Sequence, residues 1–216
     1  MLNQTISSEV PEAKRRLMDS GVKLMRARGY NATTVDEICA EAGLTKGGFF
    51  HYFKSKDDIA RAALAHFHEV SRKTYEEAPF RKLADPLDRV FGRLDFVKSF
   101  SGGEQQVTKG CLIGMFAQEL AVTHPEIGGV CLDFFARVVG DFSKDLAEAK
   151  AAHAPNAAFD PKGLAELYLA MVQGSLMLSK IAGNNDVLRD NVEQFRVHLK
   201  MLFGLDAGEK AGESRH

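Results

Sequence analysis

The side chains best suited to chemistry lie between Thr33 and Asp58, in the run TTVDEICAEAGLTKGGFFHYFKSKDD. Thr34 and Ser55 each carry a hydroxyl with an acidic residue three positions on, Glu37 and Asp58. Thr45, Lys46, Gly47 and Gly48 place one hydroxyl and one cation beside two residues without bulk. Phe50, His51 and Tyr52 follow, and Lys56 stands four residues after Tyr52. Hydroxyls, ammonium groups and the free amides of a helix start all donate to anions such as phosphate. Two adjacent glycines cost a helix about 0.8–1 kcal/mol each relative to Ala. Their use there points to another surface coming close. Lys46 or Lys56 taken singly reads as a solvated charge, and Thr34 and Ser55 would cap a helix in any protein. Beside two helix starts, the two lysines make a phosphate-facing rim.

A second chemical feature is Cys111, in the run Lys109-Gly110-Cys111-Leu112-Ile113-Gly114. A thiol at a helix start with a lysine close by is expected to hold more of the reactive thiolate, and so to alkylate and oxidise faster. The same run also reads as small residues packing a helix start. Cys39 and Cys131 read as packing residues. Three cysteines with no spaced pair argue against a disulfide framework and a four-cysteine zinc site. His66 and His68 are two apart and face different sides of a helix, so they are no metal pair. No Gly-rich phosphate loop, nucleophile elbow or paired-carboxylate arrangement is present. Neither an enzyme nor a metal or other cofactor is expected.

The elements that must position these groups are helical throughout, and no segment alternates with period two. A first helix spans about Glu9 to Arg28 and stops at Gly29-Tyr30-Asn31. The Thr34/Glu37 spacing is a capping box, and the helix it opens ends at Gly43 in a left-handed cap. Thr45 caps a third helix from Lys46 to about Phe53, and Ser55 a fourth reaching about Glu77. Val35, Ile38 and Cys39 recur at helical spacing and pack on the first helix. Longer helices are expected near 86–100, 110–122, 125–152, 161–182 and 187–204. Asp85-Pro86, His124-Pro125 and Asp160-Pro161 put a cap before a proline at three of these starts. The fold class is all-α. Residues 1–60 form a helix-turn-helix domain whose fourth helix connects onward, 61–206 a helical domain, and 207–216 a fraying tail.

The chain has 216 residues, a net charge of −1, fifteen Phe and no Trp. That length buries a core without staples. No stretch reaches the roughly 18 apolar residues of a membrane helix, and MLNQTISSEV lacks a signal-peptide pattern, so the cytoplasm is the expected home. Near-neutrality speaks against nucleic acid until it is divided by region. Residues 1–73 hold twelve Lys and Arg against nine Asp and Glu, and the rest sixteen against twenty. A positive reading head on an acidic body has the sign a DNA binder needs.

The window from about 10 to 60 resembles the TetR family of bacterial transcriptional regulators. The matching positions are Gly29-Tyr30, Thr34 with Ile38, Ala42-Gly43, Thr45-Lys46-Gly47, Phe49 to Phe53 and Ser55-Lys56-Asp57. The resemblance implies that the third helix enters the major groove. It makes Thr34 and Tyr52 phosphate contacts, sets Thr45, Lys46 and Gly47 at the groove, leaves Phe50 and His51 exposed mid-helix, and puts Lys56 at the head of the fourth helix. Many relatives carry Tyr where this chain has Phe50, so a hydroxyl contact is missing there, with His51 and Tyr52 beside it to compensate. The implied protein is a one-component repressor that binds a palindromic operator as a homodimer. The competing reading is a helical interaction module that binds no DNA.

In that family the remaining helices bind a small effector and dimerise. Phe96, Phe100, Cys111, Met115, Phe116, Phe134, Phe135, Tyr168 and Met171 supply apolar lining for a pocket, though each also reads as plain core. Leu167, Met171, Gly174, Leu178, Val192, Phe195 and Leu199 are the dimer surface expected from the last two helices, as a four-helix bundle. The run from Lys109 to Leu120 resembles a subgroup that responds to electrophiles such as N-ethylmaleimide. That resemblance implies Cys111 as sensor, with Lys180 approaching it.

Overall fold

The computed structural model describes residues 10–99 and 110–205. Lys109, Phe100 and the tail after Leu205 lie outside them. Among the described residues there are nine α-helices, one 3₁₀ turn and no strand. They are α1 (Glu12–Arg28), α2 (Val35–Ala42), α3 (Lys46–Tyr52), α4 (Lys56–Glu76), α5 (Pro86–Ser99), α6 (Leu112–Glu119), α7 (Pro125–His153), α8 (Pro161–Ala182) and α9 (Asp186–Leu202). The 3₁₀ turn Pro79–Lys82, absent from the sequence reading, precedes α5. No described helix is long and apolar enough to cross a membrane.

Helix starts follow the side-chain caps. Thr34 Oγ1 accepts the Glu37 N–H at 3.3 Å, and Glu37 Oε2 accepts the Thr34 N–H at 2.9 Å, completing the capping box. Thr45 Oγ1 accepts the Gly48 N–H at 3.2 Å, and Asp160 Oδ2 accepts that of Gly163 at 2.7 Å. At the start of α4, Ser55 Oγ accepts the Asp58 N–H at 3.1 Å and Asp58 Oδ2 accepts the Lys54 N–H at 2.9 Å. Asp85 accepts from Leu87 ahead of α5. Gly43 closes α2 with φ 63°, a conformation that disfavours any side chain.

Contacts divide the chain into two compact units. The first holds 1–75 and 109–134; the second holds 76–108 and 135–216. These units interleave in sequence, because α6 packs on α1. In the first unit α1 packs on α2, α3 and α6. Leu17, Met25, Ile38, Phe49, Ile59, Leu64, Leu112, Ile113 and Phe116 are among its large, fully buried side chains. In the second unit α8 packs on α9, and α5 on α9 and on the 3₁₀ turn. Phe142, Tyr168 and Phe195 stack there in series, with ring centres 4.6 and 5.5 Å apart.

Candidate nucleic-acid interface

Apolar burial decides which way α3 faces. Phe49 and Phe53 are buried with ring centres 5.6 Å apart, so the opposite side of this short helix must face outward. Thr45, Lys46, Gly47, Phe50 and His51 are exposed, and Phe50 is 56% accessible. Tyr52 is half-buried, edge-on to His51 at 4.6 Å. Thr34 is exposed beside its cap. A methyl added at Gly47 or Gly48 would meet nothing nearer than 3.6 Å. Packing within the chain therefore does not require glycine at either position.

The basic groups of this face have partners. Lys46 pairs with Asp36 at 2.8 Å, both side chains largely exposed, and the carboxylate holds the lysine pKa above its usual value. Arg28 pairs with Glu37 at 2.8 Å. Lys56 is tied inward: its Nζ donates to the Tyr30 carbonyl at 3.1 Å and sits 4.1 Å from the centre of the Tyr30 ring. The rim foreseen from sequence thus has Lys46 fully outward and Lys56 half-buried.

Tyr30 is where several elements meet. Its hydroxyl donates to Asp57, and burial together with that carboxylate raises its pKa well beyond the usual range. Its ring is edge-on to Phe116 and to His124. Its N–H donates to Glu119 Oε2, and the Asn31 N–H donates to Glu119 Oε1, each at 2.8 Å. The carboxylate at the end of α6 thus holds the turn that leads into α2. Sequence reading passed over Glu119, because nothing local marks its partner 89 residues away.

The other end of α6 carries Cys111, half-buried at the cap position. Arg26 donates to the Gly110 carbonyl through Nε at 3.1 Å and Nη2 at 2.9 Å, and lies over the Phe67 ring. Burial lowers the Arg26 pKa, and the neighbouring Cys111 opposes that shift. Lys180 lies on α8 in the second unit, whereas Cys111 belongs to the first. The expected pocket residues are divided in the same way. Cys111, Met115, Phe116 and Phe134 belong to the first unit, and Phe96, Phe135, Tyr168 and Met171 to the second. Phe100 lies outside the described residues.

The expected dimer surface needs a correction on α9. Val192 and Leu199 are fully buried within one protomer and Phe195 is only 6% exposed, so all three pack α9 onto its own chain. The large apolar residues that α9 exposes are Val197 and Met201. On α8, Leu167, Met177, Leu178 and Ile181 are exposed, and Ile181 is 77% accessible. Met171 and Gly174 share that stripe at helical spacing, and a methyl at Gly174 would meet nothing.

A charged cluster in the second unit was also missed. Arg81, Arg89 and Arg93 converge on the buried Asp145. The four-residue spacings Arg89/Arg93 and Asp141/Asp145 were its only signal in the sequence.

Two family models match the chain in succession. Residues 17–63 match the family model described as bacterial regulatory proteins of the tetR family, and 98–194 match the LmrA/YxaF-like transcriptional regulator C-terminal domain. The transcriptional repressor DhaR of Mycobacterium sp. (strain GP1) is 27% identical over 182 residues, covering 81% of this chain and 86% of that protein. The crystal structure of regulatory protein TetR from Rhodobacter sphaeroides superposes with a TM-score of 0.76 at 26% identity, over 86% of this chain and 98% of that one. Reduced NemR from E. coli superposes with a TM-score of 0.72 over 86% of this chain and 95% of that one, and at 19% identity it shows a shared fold alone. The capped α2, the glycine turn and the outward face of α3 are thus the reading head of a known kind of protein, and the chain belongs to the TetR family of transcriptional regulators.

Proposed function

We propose that the chain represses transcription by binding a palindromic operator as a homodimer, with Thr45, Lys46, Gly47, Phe50 and His51 entering the major groove and Thr34 and Tyr52 at the backbone. The observation that carries this reading is the pair Gly47 and Gly48. They weaken α3, and no contact inside the chain calls for them. A double helix approaching the helix closely does call for them. Lys56 keeps one ammonium proton on Tyr30 and has others to offer a phosphate.

Dimerisation is supported by the exposed apolar stripe of α8 and by Val197 and Met201, exposed on the α9 that packs on it. Exposed apolar residues grouped along one helix face mark an interaction surface. Two-fold pairing through it matches a two-fold operator.

Release is the second half of the proposal: a small molecule or an electrophile reaching the body loosens the operator complex. The support is α6, which carries Cys111 at one end and Glu119 at the other. A change at Cys111 reaches the turn before α2 through eight helical residues.

The test of DNA binding is affinity for the region upstream of the chain's own gene, measured against salt. The assigned surface fails if a Lys46→Ala/His51→Ala double variant binds like the parent. For sensing, an alkylating agent is added to the operator complex. Undiminished release from a Cys111→Ser variant removes the thiol from the mechanism.

A further inference from the structure

Among the described residues Arg93, on α5, is the most enclosed charged side chain, at 1% exposure. Its guanidinium lies between two aromatic rings, Phe80 at 5.1 Å and Phe142 at 5.0 Å. Nη2 donates to Asp145 Oδ2 at 3.2 Å. Nε is buried and has no hydrogen-bond partner. Asp145 is shared, for Arg89 Nε donates to its Oδ1 at 3.1 Å and Arg81 approaches its Oδ2 at 4.0 Å. Arg81 and Arg89 each have a second carboxylate nearer the surface, Asp141 and Glu148. The guanidinium farthest from water is therefore the one left with a shared counterion and an unused donor.

A buried donor without an acceptor, and a buried cation whose one direct counterion is shared, both destabilise the closed form. An anion accepting from Nε relieves both. We propose that the Nε edge of Arg93 is an anion subsite in the regulatory unit, and that its ligand is an organic carboxylate on an apolar body. The carboxylate takes the Nε–H hydrogen bond, and the body packs against the aromatic rings flanking the guanidinium. An inorganic anion makes the same charge contact but loses its hydration with no apolar burial in return. Because Nε is closed to solvent, the ligand enters only a form in which the surroundings of Arg93 have opened. A ligand that binds one form alone draws the population toward it. This inference rests on the effector reading above and names the chemical class of that effector.

Full-length protein is titrated with benzoate and hexanoate, with the neutral amides benzamide and hexanamide, and with sulfate. Binding is read by calorimetry and by the rise in melting temperature. Operator affinity is measured in the same mixtures. At least one carboxylate is expected to bind tenfold or more tightly than its amide and to weaken operator binding at least tenfold. Arg93→Met, close in length and uncharged, should lose that binding. Arg93→Lys keeps the charge without Nε and should lose at least tenfold, which leaves a test if the Met variant does not fold. No carboxylate binding, equal binding of acid and amide, binding of sulfate alone, or full carboxylate binding by a folded Arg93 variant each overturns the subsite. Release of operator by an amide but by neither carboxylate removes the subsite and leaves effector control standing. Carboxylate binding that needs Arg93 but leaves operator affinity unchanged upholds the subsite and removes effector control.

Discussion

The carboxylate of Glu119, at the end of α6, accepts the backbone N–H of Tyr30, at the end of α1, at 2.8 Å. Its other oxygen accepts from Asn31 at the same distance. One side chain thus satisfies two consecutive amides that no helix bonds. A buried amide deprived of its acceptor costs about 1–3 kcal/mol. Glu119→Ala should lower the unfolding free energy by about that amount, and Glu119→Gln, with one acceptor oxygen, should lose less. Urea denaturation measures both. An unchanged midpoint for the Ala variant would falsify the clamp.

Gly47→Ala separates folding from reading. Nothing inside the chain opposes the added methyl, whose nearest neighbour is Thr45 Oγ1 at 3.8 Å. Helix propensity alone favours Ala by about 0.8–1 kcal/mol. The variant should melt at or above the parental temperature and bind operator at least tenfold more weakly. Parental DNA affinity would show that the glycine faces no groove.

Lys46→Ala should remove one phosphate or base contact. The logarithmic slope of affinity against salt should fall by about one, with the melting temperature unmoved because the Lys46–Asp36 pair is exposed. A slope identical to the parent's would take Lys46 off the interface.

Ile181 and Leu199 lie on the two helices of the expected dimer and should fail differently. Ile181→Glu puts a charge on the exposed stripe, so sedimentation should show a monomer with a parental circular dichroism spectrum. Leu199→Ala empties a buried site and should cost about 2–5 kcal/mol of stability. A dimeric Ile181→Glu variant would locate the interface elsewhere.

The thiols should sort by environment. Burial, with a smaller contribution from Cys111, pushes the Cys131 thiol up to about 11. A pKa raised on folding gives stability that is present below the unfolded value and lost as pH rises through the folded one. Cys131 should therefore resist alkylation at neutral pH and favour unfolding in alkali. The half-buried Cys111 should react first, as mass spectrometry of singly modified protein would show.

The readings that succeeded from sequence were local ones. A cap and the amide it serves lie three residues apart, so Thr34 with Glu37, Thr45 with Gly48 and Asp160 with Gly163 were all legible. Gly43 announced its left-handed turn for the same reason. What failed was the choice between faces. α9 is apolar on more than one side, and periodicity does not say which side the protomer keeps, so Val192, Phe195 and Leu199 read as partner-facing although they are core. Long-range pairing was invisible too. Glu119 reads as an ordinary acidic residue at a helix end until Tyr30 is brought to it. Arg93 reads as one more surface charge until Phe80 and Phe142 close over it.

The interleaving of the two units also orders events during synthesis. The first unit is incomplete until residue 134 exists, although its helix-turn-helix has been made by residue 58. Until α6 emerges, the Tyr30 and Asn31 amides have no Glu119 and Arg26 has no Gly110 carbonyl. The reading head of the nascent chain must wait, with part of its apolar surface uncovered, for a segment made after an intervening piece of the other unit. A ribosome stalled between residues 76 and 110 would therefore hold a head that proteases cut readily.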